Sequence, residues 1–353
     1  MSFEQINPPT LRRIDQLVEA GLIPASAQAE LAGVVERYAL ALTPALAALI
    51  NTSDPQDPIA RQFVPQADEL TTTPDENADP IGDFRFTPVK GIVHRYPDRV
   101  LLKPVHVCPV YCRFCFRREM VGPGGDSLTD TEMDAAIGYV QDHPEIFEVI
   151  LTGGDPLMLA PRRLRDLIDR LSSIPHLQAI RIHTRVPIAD PARINVELLN
   201  ALESPVALWV SVHCNHVQEL GPEQRAALTR LSKAGIPLLS QTVLLREVNN
   251  SVSALTDLFR ALFSLRVKPY HLHHPDLAPG TKNFRLSIEE GQQLVAALWK
   301  SLPGPARPVY VLDIPGGFGK TPLSPSAIEP AGNSQYWVRG LDGKAMLYQP
   351  LTQ

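Results

Sequence analysis

The sequence predicts an α/β protein whose main part is a partial (β/α) barrel. From about residue 92, short β-branched or strongly apolar runs recur at intervals of roughly thirty residues, with amphipathic stretches between most of them. Near-continuous apolar strands are typical of a parallel sheet that is covered on both faces. About six or seven such units are fewer than the eight of a closed barrel, so we favour a partial barrel over the alternative, a doubly wound open sheet.

Unusual residues follow five of the seven predicted strands. The strands are RVLLKPVHV, FEVILTG, QAIRIHTR, ALWVSVHC, IPLLSQTVLL, VKPYHLHHP and PVYVLDIP. In either architecture the functional groups lie at the C-terminal ends of parallel strands. A cysteine triplet, a GGD turn, HCNH, HHPD and a glycine-rich segment occupy these positions. We therefore expect one functional site at this end of the sheet.

The chain divides into three predicted regions. Residues 1–90 form an N-terminal helical region and an extended arm, and residues 91–325 form the barrel. The arm, NTSDPQDPIARQFVPQADELTTTPDENADPIGD, is polar and proline-rich and is expected to be a linker with little to pack. Residues 326–353 form a β-like C-terminal tail with a GLDGK turn.

Charge and composition exclude several classes of protein. With 33 basic and 38 acidic residues, nothing indicates a nucleic-acid tail or a polybasic membrane patch. The start of the chain has no basic segment followed by a long apolar run, and no window reaches the roughly 18 apolar residues of a membrane span. We predict a soluble, cytoplasmic protein without nucleic-acid or membrane partners.

Three of the four cysteines, Cys108, Cys112 and Cys115, lie within one predicted loop. In a reducing compartment such clustering indicates metal or redox chemistry rather than disulfides. Thiolates are the usual ligands of iron–sulfur clusters, and three of them leave one iron of a [4Fe–4S] cubane open. The alternatives are a zinc site, which would need a second pair of ligands that the sequence lacks, or simple core packing.

The CxxxCxxC spacing, with an aromatic residue before the third cysteine, resembles the radical S-adenosylmethionine superfamily. The resemblance implies that the open iron binds S-adenosylmethionine. It also implies that one electron, from a donor such as flavodoxin or ferredoxin, releases a 5′-deoxyadenosyl radical. Gly153, Gly154 and Asp155 match the position of the superfamily's methionine-binding turn and are predicted cofactor contacts.

The wider sequence resembles lysine 2,3-aminomutase, from about Gly91 to the tail. The matching segments are HRYPDRVLL, CPVYCRFCFRRE, LTGGDPL, SQTVLLREVN, PDLAPGTKNFR and DIPGGFGKTP. The resemblance implies an isomerase that uses pyridoxal 5′-phosphate as a further cofactor and moves the α-amino group of L-lysine to Cβ, giving β-lysine. The alternatives are a protein-lysine aminomutase that supplies β-lysine for elongation factor P, or a 2,3-aminomutase for another cationic amino acid.

Lys320 is the predicted catalytic residue. It follows a glycine-rich turn and is expected to be buried, because desolvation favours a nucleophilic amine. Ile314 stands where a nucleotide-binding loop would need glycine. The resemblance implies that Lys320 carries the pyridoxal phosphate, that Arg95 and Arg99 bind its phosphate, and that Gln241 contacts a cofactor.

Three residues are predicted to bind the amino acid substrate. The resemblance assigns Arg117 to its carboxylate and both Asp276 and Asp313 to the ε-ammonium of lysine. Acidic groups in a barrel mouth are costly unless a cation pairs with them, although each aspartate could instead cap a helix or brace a loop. The tail lacks cysteines, so no structural zinc is expected, and a homo-oligomer would have to form without one. His213, Cys214, Asn215 and His216 are interpreted as a strand-end cluster near the adenosine rather than a metal site.

Overall fold

The computed structural model describes residues 9–122, 124, 127–324, 326–340 and 343–350. A nine-stranded sheet in which the strands lie side by side in chain order forms its centre. The strands are β1 (Ile92–Tyr96), β2 (Arg99–Val105), β3 (Glu148–Gly153), β4 (Ala179–Thr184), β5 (Ala207–His213), β6 (Leu238–Val243), β7 (Val267–His273), β8 (Val309–Asp313) and β9 (Lys320–Pro322).

The direction of the strands identifies the architecture. Strands β2 to β8 are parallel to one another, and β1 and β9 are antiparallel additions at the two edges. The order never reverses, so the sheet lacks the switch point of a doubly wound fold. The predicted partial (β/α) barrel is therefore confirmed, and the open-sheet alternative is excluded.

Helices precede the barrel and connect its strands. Those before the barrel are α1 (Ile14–Glu19), α2 (Gln28–Arg37), α3 (Pro44–Ala47) and α4 (Pro58–Phe63). Those of the barrel are α5 (Asp130–Gln141), α6 (Pro161–Ser172), α7 (Val186–Ala189), α8 (Val196–Ala201), α9 (Pro222–Lys233), α10 (Val252–Ser264) and α11 (Ile288–Ser301).

Residue alternation places polar groups inside the barrel. In β4, Ile180 and Ile182 are fully buried in the apolar core that the helices cover. Successive side chains of a strand point to opposite faces, so Arg181 and His183 lie on the inner face. The same alternation in the neighbouring strands lines the interior with polar side chains, which positions them for a site rather than for a closed apolar core.

The N-terminal arm packs more closely than the sequence indicated. Its residues Gln62, Glu69 and Asp83 are completely buried, so the expectation of a linker with little to pack is wrong. Their polar groups find partners on the barrel, which removes the cost that burial would otherwise impose. The arm therefore forms part of the barrel mouth.

A second sheet follows the barrel. It consists of the antiparallel strands β10 (Ile328–Gly332), β11 (Gln335–Arg339) and β12 (Ala345–Tyr348), one strand more than a hairpin. The backbone N–H of Gly340 donates to the Lys344 carbonyl (2.8 Å) and closes the predicted turn, whose residues 341–342 lie outside the described residues. No helix in the described ranges is both long and apolar enough to cross a membrane.

Candidate active site

The three clustered cysteines lie in the loop after β2, and all three are free thiols. They are partly exposed and line a small cavity of about 50 Å³ together with Tyr38 and Tyr111. The structure thus brings together the thiols that the sequence predicted to act together.

The three thiols are close enough to raise one another's pKa. Burial raises the pKa of Cys108 well above its ordinary value, and Asp155 and the two other thiols raise it further. Burial also raises the pKa of Cys112 to about 11, although the charge of Arg185 opposes this effect. Such thiols stay protonated until a metal displaces the proton.

The donor set fits an iron–sulfur cubane better than a single ion. Within the described ranges, no group of three or more His, Cys, Asp or Glu side chains is arranged to hold one metal ion. A cubane places each thiolate on a different iron, so it does not require that arrangement. Cys214 is fully buried and its thiol donates to the His216 carbonyl (3.6 Å).

Carboxylates of the arm anchor the cysteine loop. The Glu69 carboxylate accepts hydrogen bonds from Arg113 at 2.6–3.0 Å and also pairs with Arg118. The Arg118 guanidinium lies 3.6 Å from the ring centroid of Tyr38. Two arginines that flank the third cysteine are therefore held by one buried carboxylate, which sequence reasoning placed in a linker.

Close packing explains the glycines of the GGD turn. A Cβ atom at Gly154 would lie 2.4 Å from the Val107 carbonyl oxygen, so only glycine fits against the end of β2. The Asp155 carboxylate accepts hydrogen bonds from the Thr184 hydroxyl (2.7 Å) and the Arg185 backbone N–H (2.7 Å). Gly154 and Asp155 thus have structural roles, and the cofactor contact of the GGD turn stays a prediction.

Lys320 meets Asp313 at the mouth of the barrel. Its ammonium pairs with the Asp313 carboxylate, which also accepts a hydrogen bond from His273 Nδ1 (3.3 Å). Burial raises the pKa of Asp313, but His273 and the Lys320 charge outweigh burial and leave the pKa below its ordinary value. Tyr96 accepts a hydrogen bond from the Lys320 backbone N–H (2.8 Å).

The expected burial of Lys320 is wrong. The residue is exposed, because it opens the short edge strand β9 and only one side of that strand is covered. Its ammonium forms an ion pair with the Asp313 carboxylate. The glycines before it pack against the N-terminal region, where a Cβ atom at Gly317 would lie 2.4 Å from the ring of Phe86.

Asp276 has no partner among the described residues. It is partly buried, and no hydrogen bond or ion pair to its carboxylate occurs in the described part of the chain. Burial and the nearby Asp313 raise the pKa of Asp276 to about 7, while Lys320 and Arg117 act in the opposite direction. The site therefore contains a carboxyl group, Asp276, whose ionised form a bound cation would stabilise.

Asp83 of the arm organises the cations of the mouth. Its carboxylate pairs with Arg117 (2.9 Å), Arg95 (3.1 Å) and Lys103 (3.6 Å). The guanidinium of Arg99 instead pairs with Asp98 (2.9 Å) and lies over the Tyr96 ring. Sequence reasoning missed Asp83, because nothing distinguishes it from the other aspartates of the polar arm.

Of the histidines inside the barrel, sequence reasoning singled out His213 and, within HHPD, His273, but it missed His183 and His271. Gln241 Nε2 lies 3.2 Å from His183 Nε2, and the His183 and His213 rings meet edge to face at 6.1 Å. His271 and His273 make a similar contact at 5.4 Å. Burial is the main reason that the pKa of His213 and of His271 falls to about 3. The signal was present, since polar residues alternate with apolar ones along these strands.

Comparison with known proteins places this geometry in a class. Residues 102–258 match the model of the radical SAM superfamily. L-lysine 2,3-aminomutase of Clostridium subterminale is 37% identical over 314 residues, which cover 89% of this chain and 76% of that protein. The enzyme of the same name from Methanococcus maripaludis is 38% identical, covering 89% of this chain and 73% of its own.

The fold, the cysteine loop and the superfamily match define a radical S-adenosylmethionine enzyme. Within that class, the chain belongs to the lysine 2,3-aminomutase family and is an aminomutase, that is, an isomerase. Membership of the superfamily implies a [4Fe–4S] cluster and S-adenosylmethionine. Glutamate 2,3-aminomutase of Clostridioides difficile is 33% identical over 310 residues, covering 88% of this chain and 73% of that protein.

Proposed function

We propose that the chain is a pyridoxal 5′-phosphate-dependent 2,3-aminomutase that converts L-lysine to β-lysine. The observation that supports lysine as the substrate is the environment of Asp276. This carboxyl group is partly buried, has no partner among the described residues, and lies near a second carboxylate, Asp313. Two carboxylates at one site repel each other and attract a compact cation. The side-chain ammonium of lysine is such a cation.

The chain's own residues divide the work of binding the cofactors. Cys108, Cys112 and Cys115 would hold the [4Fe–4S] cluster, and Lys320 would hold pyridoxal phosphate through its amine. When bound, these groups and S-adenosylmethionine supply radical generation and spin delocalisation. Gln241 lies in the polar interior beside His183, Arg95 on β1 pairs with Asp83, and Arg99 is the first residue of β2.

The ion pair between Lys320 and Asp313 gives Asp313 two duties. It balances the charge of the Lys320 ammonium. If the Lys320 amine holds pyridoxal phosphate, the Asp313 carboxylate would lose this cation. It could then pair with the substrate ammonium together with Asp276. His273 stays hydrogen-bonded to Asp313 and keeps its second oxygen in place.

Arg117 is proposed to bind the substrate carboxylate. Its guanidinium is buried and uses Nε and Nη2 toward Asp83 at 3.2 and 2.9 Å. A guanidinium has a further Nη1 group that can donate to a second carboxylate. The pair with Asp83 therefore fixes the orientation of Arg117 and leaves donor capacity for a ligand.

The same charges discriminate against acidic substrates. A glutamate side chain would place a third carboxylate beside Asp276 and Asp313. Repulsion between these like charges would strongly weaken glutamate binding. The chain is also similar to a glutamate 2,3-aminomutase. Comparing lysine with glutamate as substrates is therefore the most informative test of the proposed pocket.

A substrate panel tests the proposal. Anaerobically reconstituted enzyme receives S-adenosylmethionine, pyridoxal phosphate and a one-electron donor of the flavodoxin or ferredoxin class. L-lysine, L-ornithine, L-arginine and L-glutamate are supplied separately, and the β-amino acids are quantified. We expect β-lysine to form fastest. In the Asp276→Asn variant, we expect a smaller ratio between the rate with lysine and the rates with the other amino acids. Equal rates with lysine and glutamate in the unaltered enzyme would contradict the proposed pocket.

A further inference from the structure

Arg185 makes a contact that none of the assigned roles explains. It follows β4 directly, it is buried, and its Nη1 donates to Cys112 Sγ at 3.4 Å. No other arginine in the described part of the chain donates a side-chain hydrogen bond to a cysteine sulfur. The contact joins the C-terminal end of β4 to the predicted cluster loop.

The surroundings hold the Arg185 guanidinium in one orientation. Its Nη2 donates to Gln62 (3.0 Å) and to the buried carboxylate of Glu219. The rings of Phe63 and Phe114 lie 4.8 and 5.6 Å from its central carbon. Two of these four groups, Gln62 and Phe63, come from helix α4 of the N-terminal region.

This orientation has a consequence for an iron–sulfur cluster. Hydrogen bonds and positive charge at cluster sulfurs are among the factors that set a cluster's reduction potential. Reduction adds one electron and therefore one negative charge, which a nearby guanidinium stabilises. The guanidinium of an arginine stays protonated at any pH at which proteins are folded, so Arg185 presents a fixed positive charge to Cys112.

We infer that Arg185 is a positioning residue that raises the reduction potential of the cluster through its hydrogen bond to Cys112. The inference rests on the proposed function, which assigns the cluster to this loop. The step concerned is the uptake of one electron by the oxidised cluster, [4Fe–4S]²⁺, to give [4Fe–4S]⁺, from an external one-electron donor. The arm contributes Gln62 and Phe63, which contact the guanidinium.

The test is a potentiometric titration of the cluster, followed by electron paramagnetic resonance without substrate. Arg185→Lys keeps a cation for Glu219 but removes the fork that reaches both the carboxylate and the sulfur. We expect the potential to become more negative, with at least a tenfold weaker reduction equilibrium, or about 59 mV for one electron.

Arg181→Lys is the matched control. Arg181 lies on β4, the strand that Arg185 follows, and it is partly buried and pairs with Glu148, but it donates to no sulfur. We expect its cluster potential to be unchanged. If Arg185→Lys fails to fold, the double variant Arg185→Met with Glu219→Gln removes the charge pair together and should show the same negative shift.

The iron content distinguishes a failure of the proposed function from a failure of the inference about Arg185. An unaltered chain that assembles no cluster overturns the proposed function and this inference together. A full cluster with the same potential in the unaltered protein and the Arg185 variants overturns the inference alone. Weaker binding of S-adenosylmethionine with an unchanged potential does the same, because it assigns Arg185 to that ligand.

Discussion

At the scale of single residues, the two substrate aspartates differ in their partners. Asp313 is paired with Lys320 and His273, whereas Asp276 pairs with no described residue. Asp276 therefore responds directly to an added cation. Asp313 affects both the substrate and the lysine that is proposed to hold pyridoxal phosphate.

The first prediction concerns the pH dependence at Asp276. Because its pKa is raised to about 7, its carboxyl group is neutral below that pH and ionised above it. The KM for L-lysine should fall as the pH rises from about 6 to about 8, since only the ionised form attracts the ammonium.

Asp276→Asn should abolish this dependence and lower kcat/KM for lysine at least ~10-fold at pH ~8, the scale of a lost charge-assisted hydrogen bond. Steady-state kinetics across that range provide the measurement. A variant that keeps the pH-dependent KM would show that another group titrates.

The second prediction concerns Lys320. Protein incubated with pyridoxal phosphate should be labelled at Lys320 after borohydride reduction, as peptide mass spectrometry can show. Lys320→Ala should lose the label. Asp313→Asn should alter the cofactor's absorption spectrum, because Asp313 contacts the Lys320 amine, whereas Asp276→Asn should leave the spectrum unchanged. Labelling of a different single lysine in Lys320→Ala would refute the assignment.

At the scale of elements, the N-terminal arm acts as a structural support for the site. Glu69 and Asp83 together form ion pairs with five cations of the barrel, and so offset part of their positive charge: Arg95, Lys103, Arg113, Arg117 and Arg118. Without these carboxylates the mouth would contain buried cations with no counter-charge, which is strongly unfavourable. The arm and barrel therefore depend on each other for charge balance.

The third prediction follows from Glu69. Glu69→Gln leaves Arg113 and Arg118 without their counter-ion and should lower the free energy of unfolding by ~3–5 kcal/mol, the cost of breaking a buried pair. Chemical denaturation of the apoprotein gives the measurement. The neighbouring Asp68 is exposed, and Asp68→Asn should change stability by less than ~0.5 kcal/mol. Equal effects of both substitutions would argue against the anchoring role of Glu69.

At the scale of the whole molecule, the partial barrel has an apolar exterior under its helices and a polar interior. Its seven parallel strands, β2 to β8, bring the cysteine loop, the histidines and the two aspartates to one region, although up to about 200 residues separate them in the chain. The edge strands β1 and β9 supply Arg95 and Lys320.

The fourth prediction concerns metal content. Reconstituted protein should contain about four irons per chain, as expected for a cubane. Replacing Cys108, Cys112 or Cys115 by Ala should abolish the cluster absorption, because each thiolate is proposed to hold one iron. Cys214→Ala should retain the iron, since its thiol lies in the apolar core and contacts His216. Loss of iron in the Cys214 variant would disprove the three-thiolate assignment.

The sequence alone determined the barrel, the family and the positions of the clustered cysteines. Each of these depends on local information: apolar periodicity defines strands, and short motifs define the cysteine loop and the glycine turn before Lys320. The GGD motif is also visible in the sequence, whereas the contacts that require its glycines, with Val105 and Val107, are tertiary.

Only the tertiary structure decided which charges meet. Glu69 and Asp83 lie in a stretch without periodicity, and their partners are about 10 to 50 residues away, so no local pattern could identify their burial. The exposure of Lys320 depends on an edge strand, and the contact of Arg185 with Cys112 depends on the sheet bringing β4 beside the cysteine loop. Charge pairing is a property of distance in space, which the order of residues in the chain does not record.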